Sequence, residues 1–181
     1  MKAIETKLKG CFIIEPKVFE DKRGYFLESY NQKVFNKAIG QDINFIQDNE
    51  SFSSKGVLRG LHYQTGAYAQ AKLVRVIQGE VLDIAVDVRQ TSPTFGQHIS
   101  IILSEDNKKQ LFVPRGFAHG FIVLSNKVLF SYKCDNFYNK ESEAGIIYND
   151  RSLNIDWELN EDEFIISEKD LILPKLENAI L

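Results

Sequence analysis

Short runs of aromatic and β-branched residues, each closed by a turn signal, recur along most of this chain. Gly10–Glu15 (GCFIIE), Gly24–Glu28 (GYFLE), Phe45–Phe52, Val57–Gln64, Lys72–Gln78, Val81–Arg89, His98–Leu103, His119–Leu124 and Val128–Cys134 read as strands. Gln78-Gly79-Glu80 and the stretch QTSPTFG at Gln90–Gly96 supply breaks between them. Strands this short and this numerous find a core only by pairing, which predicts an all-β sandwich or barrel. Asn31–Ile39 (NQKVFNKAI) reads as a short helix. No repeat or low-complexity linker divides the chain, and 181 residues suit a single domain, 1–181, with one core. From Asp150 onward the chain is acidic and holds the single Trp157; this tail is expected to pack outside as loops and short helices.

Side chains alternate across a strand, so each run sorts its residues onto two faces. Leu82, Ile84, Val86 and Val88 share one face, and Val81, Asp83, Ala85 and Asp87 the other. Lys72 shares a face with Val74 and Val76, and Tyr132 with Phe130 and Cys134. Sparse polar groups among apolar neighbours fit a ligand cavity inside a small barrel; they also fit faces that lie outside. In Gly56–Gln64 (GVLRGLHYQ), strict alternation sets His62 with Leu58 and opposite Arg59. A bulge at Gly60 would bring Arg59 and His62 to one side.

Composition removes several function classes. The net charge is −3, which gives no reason to expect nucleic acid or a membrane surface as partner. Any anionic ligand must be met by a local cluster of Arg and Lys. No apolar run approaches the ~20 residues of a spanning helix. The opening MKAIETKLKG lacks the apolar centre of a secretory leader, so a cytoplasmic location with reduced thiols is expected. Cys11 and Cys134 form no CxxC pair, and no two histidines lie within eight residues of each other. The spacing that marks a strong metal site is therefore missing, and none is expected. Neither GxGxxG, GxxxxGK nor GxSxG occurs, so nicotinamide, kinase and α/β-hydrolase chemistry find no support. What remains is acid–base chemistry by side chains. His62 offers an imidazole, the side chain suited to a base near the operating pH, and Tyr132 a phenol able to give or accept a proton, while His119 lies in a tight stretch between Gly116 and Gly120.

These motifs, taken in order, are similar to those of the dTDP-4-dehydrorhamnose 3,5-epimerase family. The matching segments are FEDKRGYFLE (Phe19–Glu28), QDNESFS (Gln47–Ser53), GVLRGLHYQ (Gly56–Gln64), AQAKLV (Ala69–Val74), GEVLDIAVDVR (Gly79–Arg89), SPTFG (Ser92–Gly96), PRGFAHGF (Pro114–Phe121), Tyr132-Lys133, Tyr148–Asp150 and SEKD (Ser167–Asp170). The resemblance implies a cupin-type jelly-roll β-barrel with a few short peripheral helices, a homodimer that exchanges N-terminal strands, and no metal or organic cofactor. It implies inversion of the carbons beside the ketone of a nucleotide-linked 4-keto-6-deoxyhexose, a step in making surface polysaccharide precursors. His62 resembles the general base, Asp170 the carboxylate that orients it, Lys72 the cation beside the enolate oxygen and Tyr132 the opposite-face acid. Arg23, Glu28, Gln47, Asn49, Arg59, His119, Glu143 and Lys169 match positions that hold the nucleotide, the diphosphate or the sugar. Asp83 is expected to support the site from within the barrel.

Two positions depart from the family pattern: Tyr68, in the loop before the Ala-Gln-x-Lys motif, and Cys134, where a small residue is expected. Tyr68 is expected to alter contacts to the sugar or base. Cys134 is read either as a small buried hydrophobe or as a cavity thiol that changes the outcome. Three further readings stand beside the leading one: inversion at one carbon only or of a GDP-linked 4-keto-heptose for a capsule, a non-catalytic sugar-nucleotide binder, and a metal-dependent cupin oxygenase.

Overall fold

A computed structural model describes residues 1–181. In order, the strands are β1 (Lys2–Glu5), β2 (Phe12–Glu15), β3 (Val18–Asp21), β4 (Gly24–Leu27), β5 (Gln47–Ser54), β6 (Val57–Gln64), β7 (Lys72–Gln78), β8 (Glu80–Asp87), β9 (His98–Ser104), β10 (Gln110–Val113), β11 (Phe117–Val123), β12 (Lys127–Cys134), β13 (Glu143–Gly145) and β14 (Ile165–Ile166). Helix α1 (Gln32–Ile39) lies between β4 and β5, and α2 (Glu168–Leu171) follows β14. No helix is long and apolar enough to cross a membrane.

The strands form two main sheets. One runs β1-β2-β10-β7-β12-β5; the other runs β13-β6-β11-β8-β9, with β14 added in parallel to β6. Strands β3 and β4 form a separate hairpin. The alternation read from sequence decides which faces meet. Val74, Val76, Val128 and Phe130 of the first sheet pack against Val81, Ala85, Phe117 and Phe121 of the second in one buried cluster. The rings of Phe121 and Phe130 stack across the gap at 4.3 Å between centroids. Leu82, Ile84 and Val86 face the other way and join a second cluster, where the tail covers them with Leu153 and Trp157. The acidic tail thus does lie outside, as expected, and its Trp157 closes a core.

Helix α1 packs Phe35 and Ile39 against Ile14, Leu73 and Phe112 on the outer face of the first sheet. It starts where its cap dictates: the Asn31 side chain accepts the Val34 N–H at 3.2 Å, and Gly40 ends it at φ 68°. Strands β1, β3, β10, β13 and β14, with four residues or fewer each, fall outside the strands expected from sequence. Runs that short carry too few alternations to be read without their partners.

Strict alternation fails in β6. The pairing of β6 with β11 runs His119 to His62 but Phe121 to Arg59, so β6 holds one extra residue there. The bulge falls at Gly60, whose φ is 126°. Leu58, Leu61 and Tyr63 therefore join the cluster under the tail, while Arg59 and His62 both turn inward. His62 and Leu58 do not share a face. A side chain at Gly60 would put its Cβ 2.6 Å from the Gly120 Cα and 2.8 Å from the His119 carbonyl oxygen. The two glycines let the strands cross closely enough to make the bulge.

Candidate active site

The inward residues of both sheets enclose a cavity of about 570 Å³, and a 350 Å³ extension shares His62, Lys72 and Tyr132 with it. The second sheet contributes Arg59, His62 and His119; the first contributes Lys72, Phe130 and Tyr132. The tail closes one side with Ile165, Lys169 and Asp170.

Parallel pairing of β14 with β6 carries the tail alongside His62. Ser167 caps α2, accepting the Asp170 N–H at 3.2 Å, and Asp170 meets the imidazole. The His62 Nε2 lies 2.7 Å from Asp170 Oδ1, and Asp170 Oδ2 accepts the Gly60 N–H at 3.4 Å. The bulge thus supplies both the inward turn of His62 and a donor for its carboxylate. Burial pushes the Asp170 carboxyl up, but hydrogen bonding and charge from His62, with the Gly60 and Ser167 donors, hold it below the usual carboxylate range. An ionised carboxylate on Nε2 fixes the tautomer with Nε2–H donating, which leaves Nδ1 as the basic nitrogen.

His119 sits opposite His62 in the β6–β11 pairing. Its Nε2 lies 2.9 and 3.0 Å from the two oxygens of Asp83, which is fully buried. Burial pushes the Asp83 carboxyl up, against the pull of His119 and the Lys72 charge. Lys72 makes no ion pair, so its ammonium is uncommitted; burial pulls its pKa down while the charges of Cys134, Asp83 and Glu143 pull it up. The Tyr132 phenol is raised by burial. Arg59 donates from Nε to Ser53 Oγ at 3.2 Å and keeps its terminal amino groups free. Glu143 accepts from the Tyr138 hydroxyl at 3.0 Å and pairs with Lys169. Burial raises the Glu143 carboxyl, but these partners hold it below its ordinary value.

An imidazole on one sheet, with a phenol and an ammonium on the facing sheet, is a set of groups able to remove a proton from one side of a bound ring and return one from the other. A family model described as dTDP-4-dehydrorhamnose 3,5-epimerase matches residues 5–178. The chain belongs to the dTDP-4-dehydrorhamnose 3,5-epimerase family. It is 54% identical over 179 residues to the dTDP-4-dehydrorhamnose 3,5-epimerase of Shigella flexneri, covering 99% of this chain and 98% of the relative. The crystal structure of the Elizabethkingia anophelis family member is 57% identical with a TM-score of 0.95, over 98% of this chain and 97% of that one. A dTDP-6-deoxy-D-glucose-3,5-epimerase from Legionella pneumophila, in complex with dTDP-4-keto-L-rhamnose, is 49% identical with a TM-score of 0.94, over 98% and 93%. The cupin-type all-β fold expected from sequence is therefore the fold of this family.

Of the residues that the family resemblance singled out, ten line the cavity or its extension: His62, Tyr132, Lys72, Asp170, Gln47, Asn49, Arg59, His119, Glu143 and Lys169. Arg23 and Glu28 do not. Arg23 is at the β3–β4 turn, held by Asp21, and Glu28 accepts from Asn31 at 3.2 Å. Tyr68 lines neither part; only its carbonyl is engaged, by Gln64. Cys134 is 1% exposed and lines neither part, the small buried hydrophobe of the two readings, with its thiol pushed up to about 11 by burial. Sequence reading missed Tyr138 and Gln64, which line the extension. Tyr138 lies in a loop, where alternation carries no signal. Gln64 sits at the strand end two residues after His62, and its position there is the signal that could have found it.

Proposed function

We propose that this chain is a 3,5-epimerase of a dTDP-linked 4-keto-6-deoxyhexose. The names of the three relatives above all carry 3,5-epimerase chemistry on a dTDP sugar. That favours two carbons over one, and removes the GDP-linked heptose. In the reading, His62 Nδ1 takes a proton from a carbon beside the C4 ketone. Electrons move onto the ketone oxygen, where the Lys72 ammonium stabilises the enolate. Tyr132 delivers a proton to the opposite face, and the cycle repeats at the other flanking carbon. Between the two inversions the protonated His62 loses its proton to solvent and the Tyr132 phenolate regains one from solvent, and no oxidation state changes. Arg59 and Lys169 meet the diphosphate, and the amides of Gln47 and Asn49 offer donors and acceptors to the base.

One observation carries this: His62 and Tyr132 project from facing sheets into one cavity that also holds Lys72. The test is incubation of the enzyme with dTDP-4-keto-6-deoxyglucose in heavy water, read by mass spectrometry. Two deuterons are expected in wild type and none in His62→Ala. Equal uptake by both would remove His62 as the base.

The same reading includes a homodimer in which Arg23 and Glu28 reach a second copy's cavity. What supports it is the β3–β4 hairpin, a sheet of its own with Phe19, Tyr25 and Phe26 exposed. Light scattering should give twice the 20.7 kDa of one chain; a monomer of full activity would contradict it. Both cysteines are free, which suits the reducing cytoplasm we assign.

A further inference from the structure

The loop Asn136–Asn139 forms part of the cavity's rim without an apolar anchor. Its two aromatic residues, Phe137 and Tyr138, are 61% and 56% exposed. Tyr138 nevertheless lines the extension and holds Glu143 through its hydroxyl. A loop with few buried contacts should open easily, unless polar ties restrain it.

The ties converge on Gln64, which is 8% exposed. Its Nε2 donates to the Tyr68 carbonyl at 2.7 Å and to the Phe137 carbonyl at 3.1 Å, and its Oε1 accepts the Asn139 N–H at 2.7 Å. Both amide hydrogens and the amide oxygen are thus committed to the main chain of two loops. Asn136 adds a tie to the Ala67 carbonyl at 2.9 Å, and Gln47 Oε1 accepts the Tyr138 N–H at 3.2 Å. None of these bonds involves His62, Lys72, Tyr132 or Asp170.

We propose that Gln64 is a positioning residue: it clamps the Asn136–Asn139 loop to the 65–70 loop and so sets the Tyr138–Glu143 wall that holds the substrate. It does so without taking part in proton transfer. The inference rests on the epimerase reading above. It predicts a division of labour in which loss of Gln64 weakens binding and leaves the chemistry of the bound substrate alone.

The most informative variant is Gln64→Glu. It has the same shape and keeps one acceptor, but it faces two carbonyls with a carboxylate. Steady-state epimerisation of dTDP-4-keto-6-deoxyglucose should show KM raised about tenfold or more with kcat within about threefold of wild type. The Kd of dTDP, by calorimetry, should rise in parallel. Relative to wild type, that Kd should recover as pH falls and the new carboxyl gains a proton to donate. A variant that melts earlier but keeps wild-type KM and Kd would overturn the proposal, as would a fall in kcat at unchanged KM. If Gln64→Glu does not fold, Asn136→Ala cuts a tie of the same clamp from the loop side; it should raise KM in the same direction, and an unchanged KM would overturn the proposal. A wild-type enzyme that takes up no deuterium removes the epimerase reading and this inference together. An active wild type with unmoved variants removes this inference alone.

Discussion

Asp170 determines what His62 can do. An imidazole that takes a proton becomes a cation, and the buried carboxylate 2.7 Å from its Nε2 stabilises that cation. The Asp170 carboxyl is held below its ordinary 3.8, so its stabilising contribution is complete above that value and is lost only as pH falls through the lower folded value. It therefore stays ionised at neutral pH. Asp170→Asn replaces it with an amide that gives no charge and can donate to Nε2, pushing the proton onto Nδ1. Single-turnover deuterium uptake should fall on the order of 10²–10⁴ with dTDP affinity kept; wild-type uptake would take the carboxylate out of the mechanism. His62 and Tyr132 stood out in sequence as an imidazole and a phenol in strands, but their roles and the choice of Lys72 came from the family likeness. Tyr138 did not stand out, because its place depends on the Gln64 and Gln47 amides reaching a loop from distant strands. Arg23 and Glu28 match the family motif, yet one chain does not bring them to its own cavity.

At the scale of elements, polar knots and glycine crossings fix strands whose apolar pattern alone leaves slack. The end of β8 shows the first. Asp87 accepts from Arg89, Ser92 and Thr94, which pins the turn into β9. Burial alone would raise its pKa, but these donors prevail and bring it down to about 2. A depressed carboxyl contributes stability that is full above 3.8 and fades as pH falls through about 2. Unfolding of Asp87→Asn should show a deficit of about 2 kcal/mol at neutral pH, closing across that acid window. A deficit that does not change with pH would show that Asp87 acts through packing instead. The strands β5–β9, β11 and β12 were readable from their runs of aromatic and β-branched residues closed by turn signals. The Gly60 bulge was readable only as an option, since its decision lies with Gly120 on the neighbouring strand. The shortest strands gain their identity from partners far along the chain.

At the scale of the molecule, the two-sheet architecture turns a topological fact into stereochemistry. The facing sheets set His62 and Tyr132 on opposite walls of one cavity, and the tail that seals the outer face of one sheet returns to supply Asp170. The fold class was legible from the rhythm of strands and turns. The meeting of His62 and Tyr132 was implied only by family likeness, because no local pattern records which sheets face each other. Their opposition is what the account stands on, and Tyr132→Phe in heavy water probes it most directly. With abstraction by His62 intact and the far-side acid gone, NMR of the product should show deuterium at the carbons flanking the ketone with inversion greatly slowed. Inverted product at the wild-type rate would contradict the account.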